Sequence, residues 1–425
     1  MRQPPSVTEF PKYPVIAGIA LLAAGVTIAG SLKMDVTPLT ENAMIRHGEL
    51  WRLVTSIFPH VGFLHLVFNV YWLWVFGTLL EEVYGHLRTL ALVLLFAIIP
   101  NALEYAFATG GVGLSGVGYG FFGLLWVLSK RDEHFRDAID KRTIQLFVIW
   151  FFFCVVATLT NIMPIGNVAH GAGAVVGILA GFAITMPERR AITSAGIGVI
   201  VLFGLWAATQ GRPKVNLSAY GSYDECKRGD DAMRAEHYDE ALPWLEIAAR
   251  YRFNQAACLT DLSFTYLQLG KKTQSLAAYR KAAEMGNAES QFYMGTLYEI
   301  GSGGLARDPA QALYWYRKAA DQGSPDALNN VAWALATSSD PGIRNPAAAL
   351  EYAQKAVKAE KNQPRPHILD TLAEACYANG QYENAVKTEK QAIASVAVED
   401  KNNYLTRLEK YQLALDNSKQ PAHAK

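Results

Sequence analysis

The sequence predicts an all-α protein in two parts, a polytopic bundle of membrane helices followed by a solenoid of helical repeats. Three observations predict it: an uneven distribution of charge, a series of long apolar runs, and a spacing of small residues that recurs in the second half. The sequence has 39 Lys and Arg residues and 38 Asp and Glu residues, and 25 of these charged residues lie in the first 210 positions. This first part is therefore charged at about 12%, roughly half the proportion usual in soluble domains.

Runs without Asp, Glu, Lys or Arg define the membrane part, residues 1–210. A membrane-spanning helix needs about 20 apolar residues, and the longest runs hold more than one such helix. Divided at clusters of Gly, Pro and Asn, they predict seven spans at residues 14–31, 59–80, 87–108, 114–129, 143–163, 167–186 and 191–208. The fourth span is short, so we expect it to begin below the membrane surface.

The composition excludes several other classes of protein. A net charge of +1 leaves no basic excess to attract nucleic acid. The four cysteines are too few and too irregularly spaced for a disulfide framework or a four-thiolate zinc site. We therefore expect no metal, no cofactor and no nucleic-acid partner.

The Lys and Arg residues of the short loops predict the orientation in the bilayer. With the N-terminus in the cytoplasm, the inside segments carry ten of these residues and the outside loops carry five. Seven spans then place everything after residue 210 on the outer side. We expect a multi-pass plasma (inner) membrane protein, with a linker at 211–220 that leads to a domain on the outer, periplasmic side.

Residues 221–415 repeat at intervals of 34 to 37 residues. Small residues begin and end the second helix of each unit, which allows the two helices of a pair to cross closely. The residues that begin these helices are Ala241, Ser275, Ala312, Ala349 and Ala385, and those that end them are Ala248, Ala282, Ala319, Ala356 and Ala392. We expect the larger residues between them to fill the core, such as Leu262, Tyr266, Leu372 and Tyr382. Five such units are enough to stack into a stable solenoid.

This pattern resembles the tetratricopeptide repeat, with Gly270 and Gly380 at its inter-helix turn. The stretch Ala288–Gly323, with a glycine-rich insertion at 301–304 and a helix start at Asp308-Pro309, resembles the related Sel1-type repeat instead. An unrelated helical bundle is the alternative. The resemblance implies a protein or peptide partner in a concave groove, although the fold alone does not name it. Residues 416–425 are expected to form a flexible tail.

Cys226 and Cys258 lie 32 residues apart in neighbouring first helices of the repeats. In an oxidising outer compartment this pair has the opportunity to form a disulfide. As two small apolar side chains they would simply be buried. Both interpretations stay open.

Polar side chains inside the predicted spans are costly and point to function. In the second span, His65 and Asn69 are four residues apart and therefore lie on one helix face. The fourth span opens with Gly113–Gly116, whose glycines allow backbone or ligand to approach Ser115 closely. Tyr119 lies one turn further along the same face.

The sixth span carries His170 on a face of small residues, including Gly173 and Gly177, against which another helix packs tightly. Each of these features alone is more often a cap, a bridge between helices or a packing seam. Together they supply what nucleophilic catalysis needs. A serine hydroxyl requires an adjacent base, and the tetrahedral oxyanion requires fixed hydrogen-bond donors.

These residues resemble the rhomboid family of intramembrane serine proteases over about residues 40–186. The matching motifs are Trp51-Arg52, His60 with His65-x-x-x-Asn69, Gly77-x-x-x-Glu81-x-x-x-Gly85, Gly113-x-Ser115-Gly116 with Tyr119, and Ala169-His170-x-x-Gly173-x-x-x-Gly177. The resemblance implies a rhomboid-like bundle of six plus one spans, with the extra span at the C-terminal end. It also implies transmembrane protein substrates within the lipid bilayer. The large repeat array lies outside the family's core pattern.

The resemblance assigns Ser115 as nucleophile and His170 as general base of a dyad without an aspartate. Tyr119 would stack on the imidazole of His170. His65, Asn69 and the backbone N–H of Ser115 would form the oxyanion hole.

The resemblance also implies supporting roles for other matching residues. His60 would hold water or loop structure near the site, and Glu81 would tie helix ends on the cytoplasmic side. Trp51 and Arg52 would anchor the first loop in the outer half of the bilayer. Gly173 and Gly177 would bring the sixth span against the fourth. Glu104 is expected to be a carboxylate at a helix end on the outer surface, with loop hydrogen bonding or substrate contact as the alternative.

Two other functions stay open. One is a rhomboid-like pseudoprotease that binds membrane helices without cutting them, although such proteins usually lack the serine or the histidine. The other is a membrane-tethered scaffold in which the repeats act alone. Other types of intramembrane protease fit poorly, because the sequence has no His-Glu-x-x-His zinc motif and no paired membrane aspartates.

Overall fold

The computed structural model describes residues 3–160, 162–163, 165–252, 255–361, 364–396 and 401–419. Over these residues every regular element is a helix, as the sequence predicts. The chain divides into two compact units: residues 1–227 with 247–254, and residues 228–246 with 255–425. The first unit therefore extends past residue 210.

Seven apolar helices dominate the first unit: α1 (Pro14–Ser31), α2 (Phe63–Tyr84), α3 (His86–Phe107), α4 (Ser115–Leu128), α5 (Lys141–Leu159), α6 (Asn167–Thr185) and α7 (Arg190–Trp206). Six helical stretches of the described residues are long and apolar enough to cross a membrane, the last of them the continuous stretch Pro187–Val215 around α7. Helix α4 is the short apolar one, with 14 residues. Each helix agrees with its predicted span to within a few residues.

Helices α4 and α6 pack backbone to backbone. A Cβ at Gly173 would collide with the carbonyl oxygen of Gly116, and one at Gly177 with the carbonyl oxygen of Gly120. Side chains larger than hydrogen would therefore push the two helices apart. Because Ser115 precedes Gly116 directly, this contact brings the start of α4 close to the first turns of α6.

The loop between α1 and α2 is held by internal hydrogen bonds. Arg52 is buried, and its Nη1 donates to the carbonyl oxygens of Thr37 and Thr40 at 2.9 and 3.2 Å. Its Nε donates to the Glu49 carboxylate at 2.6 Å. The neighbouring Trp51 is 54% exposed. Arg52 thus anchors the loop to itself, while Trp51 points outward.

The segment 211–220, expected to be a linker, is packed against the end of α3. Nε of Arg212 donates to the Tyr105 carbonyl oxygen at 2.8 Å, and Nδ2 of Asn216 donates to those of Ala106 and Ala108 at 3.0 and 2.6 Å. Both donor side chains are buried. The last carbonyl groups of a helix have no partner within it, and this segment supplies those partners for α3.

The second unit consists of consecutive helix pairs. They are α8 (Tyr223–Arg234, which begins in the first unit) with α9 (Tyr238–Ala248), α10 (Ala256–Gln268) with α11 (Lys272–Glu284), α12 (Ala288–Ile300) with α13 (Pro309–Asp321), α14 (Pro325–Thr337) with α15 (Pro346–Ala359), and α16 (Pro366–Ala378) with α17 (Tyr382–Ala394). A final helix, α18 (Lys401–Lys419), follows the last pair. Its last residues, 416–419, were expected to belong to a flexible tail, and residues 420–425 of that tail lie outside the described residues.

The small residues of the repeat pattern lie in the helix-pair cores, each 4% exposed or less. The turn glycines Gly270 and Gly380 have φ values of +72° and +75°, the left-handed conformation that glycine adopts without strain. Of the four larger residues expected in the core, only Leu262 is fully buried. Tyr266, Leu372 and Tyr382 are half-buried, and the hydroxyl of Tyr266 reaches the carboxylate of Glu246 at 2.8 Å. Cys226 and Cys258 are both buried.

Candidate active site

Ser115 is the first residue of α4 and is half-buried. Its backbone N–H therefore has no partner within the helix. Gly113, two residues earlier, has a φ of +110°, and a Cβ at this position would lie 2.9 Å from Cε1 of His65 and 3.2 Å from Cδ2 of His60. Only glycine fits this turn. The chain thus enters α4 directly against two histidines.

The two histidines are engaged differently. Their rings meet edge to face, with centroids 4.9 Å apart. Nδ1 of His60 lies 3.0 Å from the carbonyl oxygen of Phe58, and Nε2 accepts the N–H of Leu114 at 3.3 Å. This network assigns the proton of His60 to Nδ1. Its ring therefore holds the loop that leads into Ser115.

His65 keeps a donor available. Its Nδ1 accepts the N–H of Val61 at 3.4 Å, so in the neutral ring the proton belongs to Nε2. One turn further along α2, Asn69 is 8% exposed. Among the described residues, Nδ2 of Asn69 is a buried donor without a hydrogen-bond partner. The start of α2 thus offers two donors on the face that contacts the Ser115 loop.

His170 lies in the first turn of α6 and is 3% exposed. Its imidazole stacks on the ring of Tyr119, with centroids 4.6 Å apart and planes 23° apart. The Tyr119 hydroxyl donates to the Phe147 carbonyl oxygen at 3.2 Å. Within the part of the chain that the structure describes, no hydrogen bond joins His170 to Ser115, and Nδ1 of His170 has no partner. Tyr119, one turn after Ser115 on α4, is in contact with the imidazole.

Glu104 is not a surface carboxylate, and the expectation that it lies at the outer surface is wrong. It is 4% exposed, and its Oε2 accepts the N–H of Ala169 at 3.0 Å. The alternative, a role in hydrogen bonding, is the one that agrees with the structure. The sequence signal was present, since Glu104 is the single charged residue between Thr89 and Ser129.

A second carboxylate, which is half-buried, was missed altogether. Glu41, in the first loop, accepts the N–H of Gly111 at 2.8 Å and lies 3.4 Å from the Ser56 hydroxyl. Burial raises the pKa of Glu41 well above its usual value. Nothing in the local sequence distinguishes it from an exposed loop residue. It holds the same Gly110–Gly113 segment that His60 and His65 contact.

Most of the predicted site residues thus meet around the first turn of α4. His65, His60 and Gly113 are in mutual contact on one side of Ser115, and Tyr119 and His170 are in contact one turn along. Trp51 and Arg52 belong to the first loop instead. Over the described ranges, no three His, Cys, Asp or Glu side chains form a group able to hold a metal ion.

Comparison with known proteins separates the two parts of the chain. The model of the rhomboid domain matches residues 47–187. The chain is 27% identical over 253 residues to the rhomboid protease GluP of Bacillus subtilis, an overlap of 57% of this chain and 47% of that protein. It is 29% identical over 184 residues to the rhomboid protease GlpG of Salmonella paratyphi A, an overlap of 42% and 65%. The chain thus spans about half to two thirds of these relatives.

The model of the Sel1 repeat matches residues 288–324 and 325–360. The first match is the unit predicted as Sel1-type, and the second extends that assignment to α14 and α15. Among solved structures, a Sel1 repeat protein from Oxalobacter formigenes is 18% identical, with 46% of this chain and 85% of that chain covered and a TM-score of 0.32. That score is too low to define a shared overall fold. Residues 47–187 of this chain thus form a rhomboid domain, and two Sel1 repeats follow it.

Proposed function

We propose that this chain is an intramembrane serine endopeptidase in which Ser115 is the nucleophile and His170 the general base. The observation that carries the proposal is the stack of Tyr119 on His170. It holds the imidazole beside the helix turn that begins with Ser115. A serine hydroxyl becomes nucleophilic only with a base in reach, and no other imidazole among the described residues is packed on α4 in this way.

The reaction then follows the chemistry of acyl transfer. The Ser115 hydroxyl attacks the scissile carbonyl carbon of the substrate while its proton passes to His170. The tetrahedral intermediate collapses when His170 gives that proton to the leaving amine, which leaves an ester on Ser115. A water molecule, deprotonated by His170, attacks this ester. His170 then returns the proton to the Ser115 oxygen as the ester bond breaks, which releases the second peptide and restores the free serine.

The negative charge of the tetrahedral intermediate needs fixed donors. We assign this role to Nδ2 of Asn69, Nε2 of His65 and the backbone N–H of Ser115. Asn69 supports the assignment most directly, because a buried amide without a partner is costly unless a ligand completes it. His60 and Gly113 act indirectly by holding the loop that places Ser115 against these donors.

The substrates we propose are transmembrane proteins. Among the described residues, six helices are long and apolar enough to span a bilayer. Two of them, α2 and α6, carry residues of the site, so we expect substrates that reach the site from the bilayer. A helical peptide bond is shielded by its own hydrogen bonds, and we therefore expect helix-breaking residues at the cleavage position to favour cutting.

The direct test is cleavage of a single-span substrate by the purified protein in detergent or liposomes. Ser115→Ala and His170→Ala should each abolish cleavage, and a fluorophosphonate probe should label the wild type and not Ser115→Ala. Cleavage that persists in Ser115→Ala would overturn the assignment. A wild type that binds the substrate without cutting it would instead favour the pseudoprotease, and a phenotype unchanged in Ser115→Ala would favour the scaffold.

We further propose that the N-terminus is cytoplasmic and that the repeats lie on the outer, periplasmic side. The support is the excess of Lys and Arg in the inside loops. A tag placed after residue 425 should be accessible to protease added to spheroplasts, in which the outer membrane has been opened. Protection of that tag would reverse the orientation.

The repeat array is proposed to recruit a protein substrate or partner. Glu225 and Tyr251 are buried with the first unit, so a deletion has to spare them. Removal of residues 256–425 should narrow the substrate range in cells and leave fluorophosphonate labelling of Ser115 unchanged. An unchanged substrate range would count against recruitment.

A further inference from the structure

We propose that Glu104 is a positioning residue for this reaction. Its carboxylate fixes the start of α6, and with it the imidazole of His170, against the loop that leads into Ser115. The inference rests on the proposed protease function, and it adds a third helix, α3, to the elements that place the two reacting groups.

The first support is the hydrogen bond between Glu104 and the residue next to His170. The first N–H groups of a helix lack partners within it, and a carboxylate is favoured there by both hydrogen bonding and the helix dipole. Helix α6 does not supply such a group itself, because its N-cap is Gly166 and no side chain caps it. Oε2 of Glu104, on α3, accepts the N–H of Ala169 at 3.0 Å instead.

The second support is that two glycines, one from each of the segments to be aligned, pack against the Glu104 side chain. A Cβ at Gly111 would lie 3.4 Å from Cγ of Glu104, and a Cβ at Gly166 would lie 3.4 Å from its carboxylate. Gly111 belongs to the loop that enters α4, and its N–H is held by Glu41. Glu104 therefore fills the space between the segment that carries Ser115 and the one that carries His170.

The third support is burial. Glu104 is 4% exposed, and a carboxylate placed so deep is costly unless it is hydrogen-bonded. If the only role of this group were to cap α6, a neutral side chain on α6 itself would do so equally well. The position of Glu104 matters because misplacement of a reacting group by about 1 Å costs roughly 100-fold in rate.

The chain offers a matched control at the far end of α2. Glu81 is 2% exposed, and its two carboxylate oxygens accept the N–H groups of Val15 and Ile16 at 3.0 Å each. It caps α1 as Glu104 caps α6. Glu81 ends the helix that His65 begins, so its loss affects a helix start that carries no reacting group.

The experiment compares Glu104→Leu, Glu104→Gln and Glu81→Leu in the full-length purified protein, with kcat and KM measured on one single-span substrate. Active sites are counted with the fluorophosphonate probe, so that unfolded protein does not contribute. Glu104→Leu should lower kcat roughly 10- to 100-fold with KM within about twofold. Glu104→Gln keeps one acceptor oxygen and should recover part of that loss. Glu81→Leu should lower the yield of folded protein and leave kcat per labelled site unchanged.

Equal losses of kcat in Glu104→Leu and Glu81→Leu, or no loss in either, would overturn the inference. Hydrogen exchange of the amides at 167–170 gives a readout besides cleavage. If the wild type neither cleaves nor reacts with the probe, the proposed function fails. Faster exchange confined to these amides in Glu104→Leu would then still support the positioning role, and unchanged exchange would overturn it.

Discussion

The ring of Tyr119 lies flat on the imidazole of His170, with centroids 4.6 Å apart and planes 23° apart. The hydroxyl at the other end of the same side chain donates to the carbonyl oxygen of Phe147 on α5. One residue thus joins three helices, α4, α5 and α6. Its two contacts are chemically separable, because one needs only the ring and the other needs only the hydroxyl.

The first prediction separates them. Tyr119→Phe keeps the stack and loses one buried hydrogen bond, so it should lower stability by about 1 kcal/mol and leave kcat within about twofold. Tyr119→Leu removes the aromatic face, and an aromatic pair contributes about 0.5–1.5 kcal/mol, so kcat should fall roughly tenfold. Single-turnover cleavage and thermal unfolding of both variants measure the two effects. The stack has no catalytic role if Tyr119→Leu retains the wild-type kcat.

The second prediction concerns the turn before Ser115. Gly113→Ala places a Cβ 2.9 Å from the His65 ring in a backbone conformation with φ of +110°. The displaced ring would take a proposed oxyanion donor with it, and loss of one such donor costs about 100- to 1000-fold in kcat. The measurement is kcat on a single-span substrate.

Gly118→Ala is the matched control for that variant. A Cβ at Gly118, in the same helix start, would meet nothing within 4 Å. This variant should gain up to about 1 kcal/mol in helix stability and keep its kcat. The prediction fails if both alanine variants lose activity to a similar extent.

The third prediction concerns the buried ion pair after α7. Nη1 of Arg212 lies 3.2 Å from Oε1 of Glu225, with the two side chains 3% and 0% exposed, and the guanidinium lies 3.9 Å from the centre of the Tyr105 ring. Arg212→Met leaves the Glu225 carboxylate buried with the Tyr251 hydroxyl but without its cation, and the loss of one member of a buried ion pair costs about 3–5 kcal/mol. The double variant Arg212→Met with Glu225→Gln should recover much of that loss.

Unfolding of the purified protein by titration with SDS measures these differences. Arg136→Met is the control, because Arg136 and Glu133 pair at the surface with side chains 71% and 89% exposed. An exposed pair contributes about 0–1 kcal/mol. If Arg212→Met is no more destabilising than Arg136→Met, the buried pair does not hold the end of α3.

The helices of the first unit were predictable because hydropathy acts locally. A charge-free run such as residues 143–163 is too apolar to be a loop, and its helix, Lys141–Leu159, agrees to within a few residues. The repeat register was predictable for a similar reason, since only small residues such as Ala282 and Ala319 fit where two helices cross. Both predictions depend on residues close together in the sequence.

Glu104 and Arg212 show where this reasoning ends. An apolar run reveals that Glu104 is unusual, but it does not say whether the carboxylate meets water, lipid or the start of another helix. Arg212 was assigned to a linker because charge increases after residue 210. Its main-chain partner is the carbonyl oxygen of Tyr105, 107 residues away. Such partners are set by the packing of α3 and α6, which no local pattern encodes.

A pair of carboxyl groups near the end of the repeat array leads to the last prediction. Glu389 on α17 is fully buried, and among the described residues neither of its carboxylate oxygens accepts a hydrogen bond from a donor group. Its negative charge would be opposed by the carboxylate of Asp370 on α16, whose Oδ2 accepts from Nη1 of Arg407 at 2.8 Å. A buried carboxyl group beside a second carboxylate is favoured in its protonated form. Burial and the neighbouring charge of Asp370 raise the pKa of Glu389 to about 8.

The sign of the resulting pH dependence follows from linkage. In the unfolded chain Glu389 titrates near 4.5, so between pH 4.5 and about 8 the folded state holds a proton that the unfolded state has lost. The free energy of unfolding should therefore fall as the pH rises through this window. Glu389→Gln keeps the size and shape of the side chain and has no carboxyl proton to lose. We expect this variant to exceed the wild type in stability above pH 8, by on the order of 1 kcal/mol.

Hydrogen exchange of the amides of α16 and α18, compared between variant and wild type at each pH from 5 to 9, measures the effect. Glu383→Gln is the control on the same helix, because Glu383 pairs with Lys419 at the surface with side chains 75% and 61% exposed. Solvent screens that pair, so the control should follow the wild type across the range. Parallel profiles for Glu389→Gln and the wild type would mean that Glu389 is ionised in the folded protein, and would overturn the prediction.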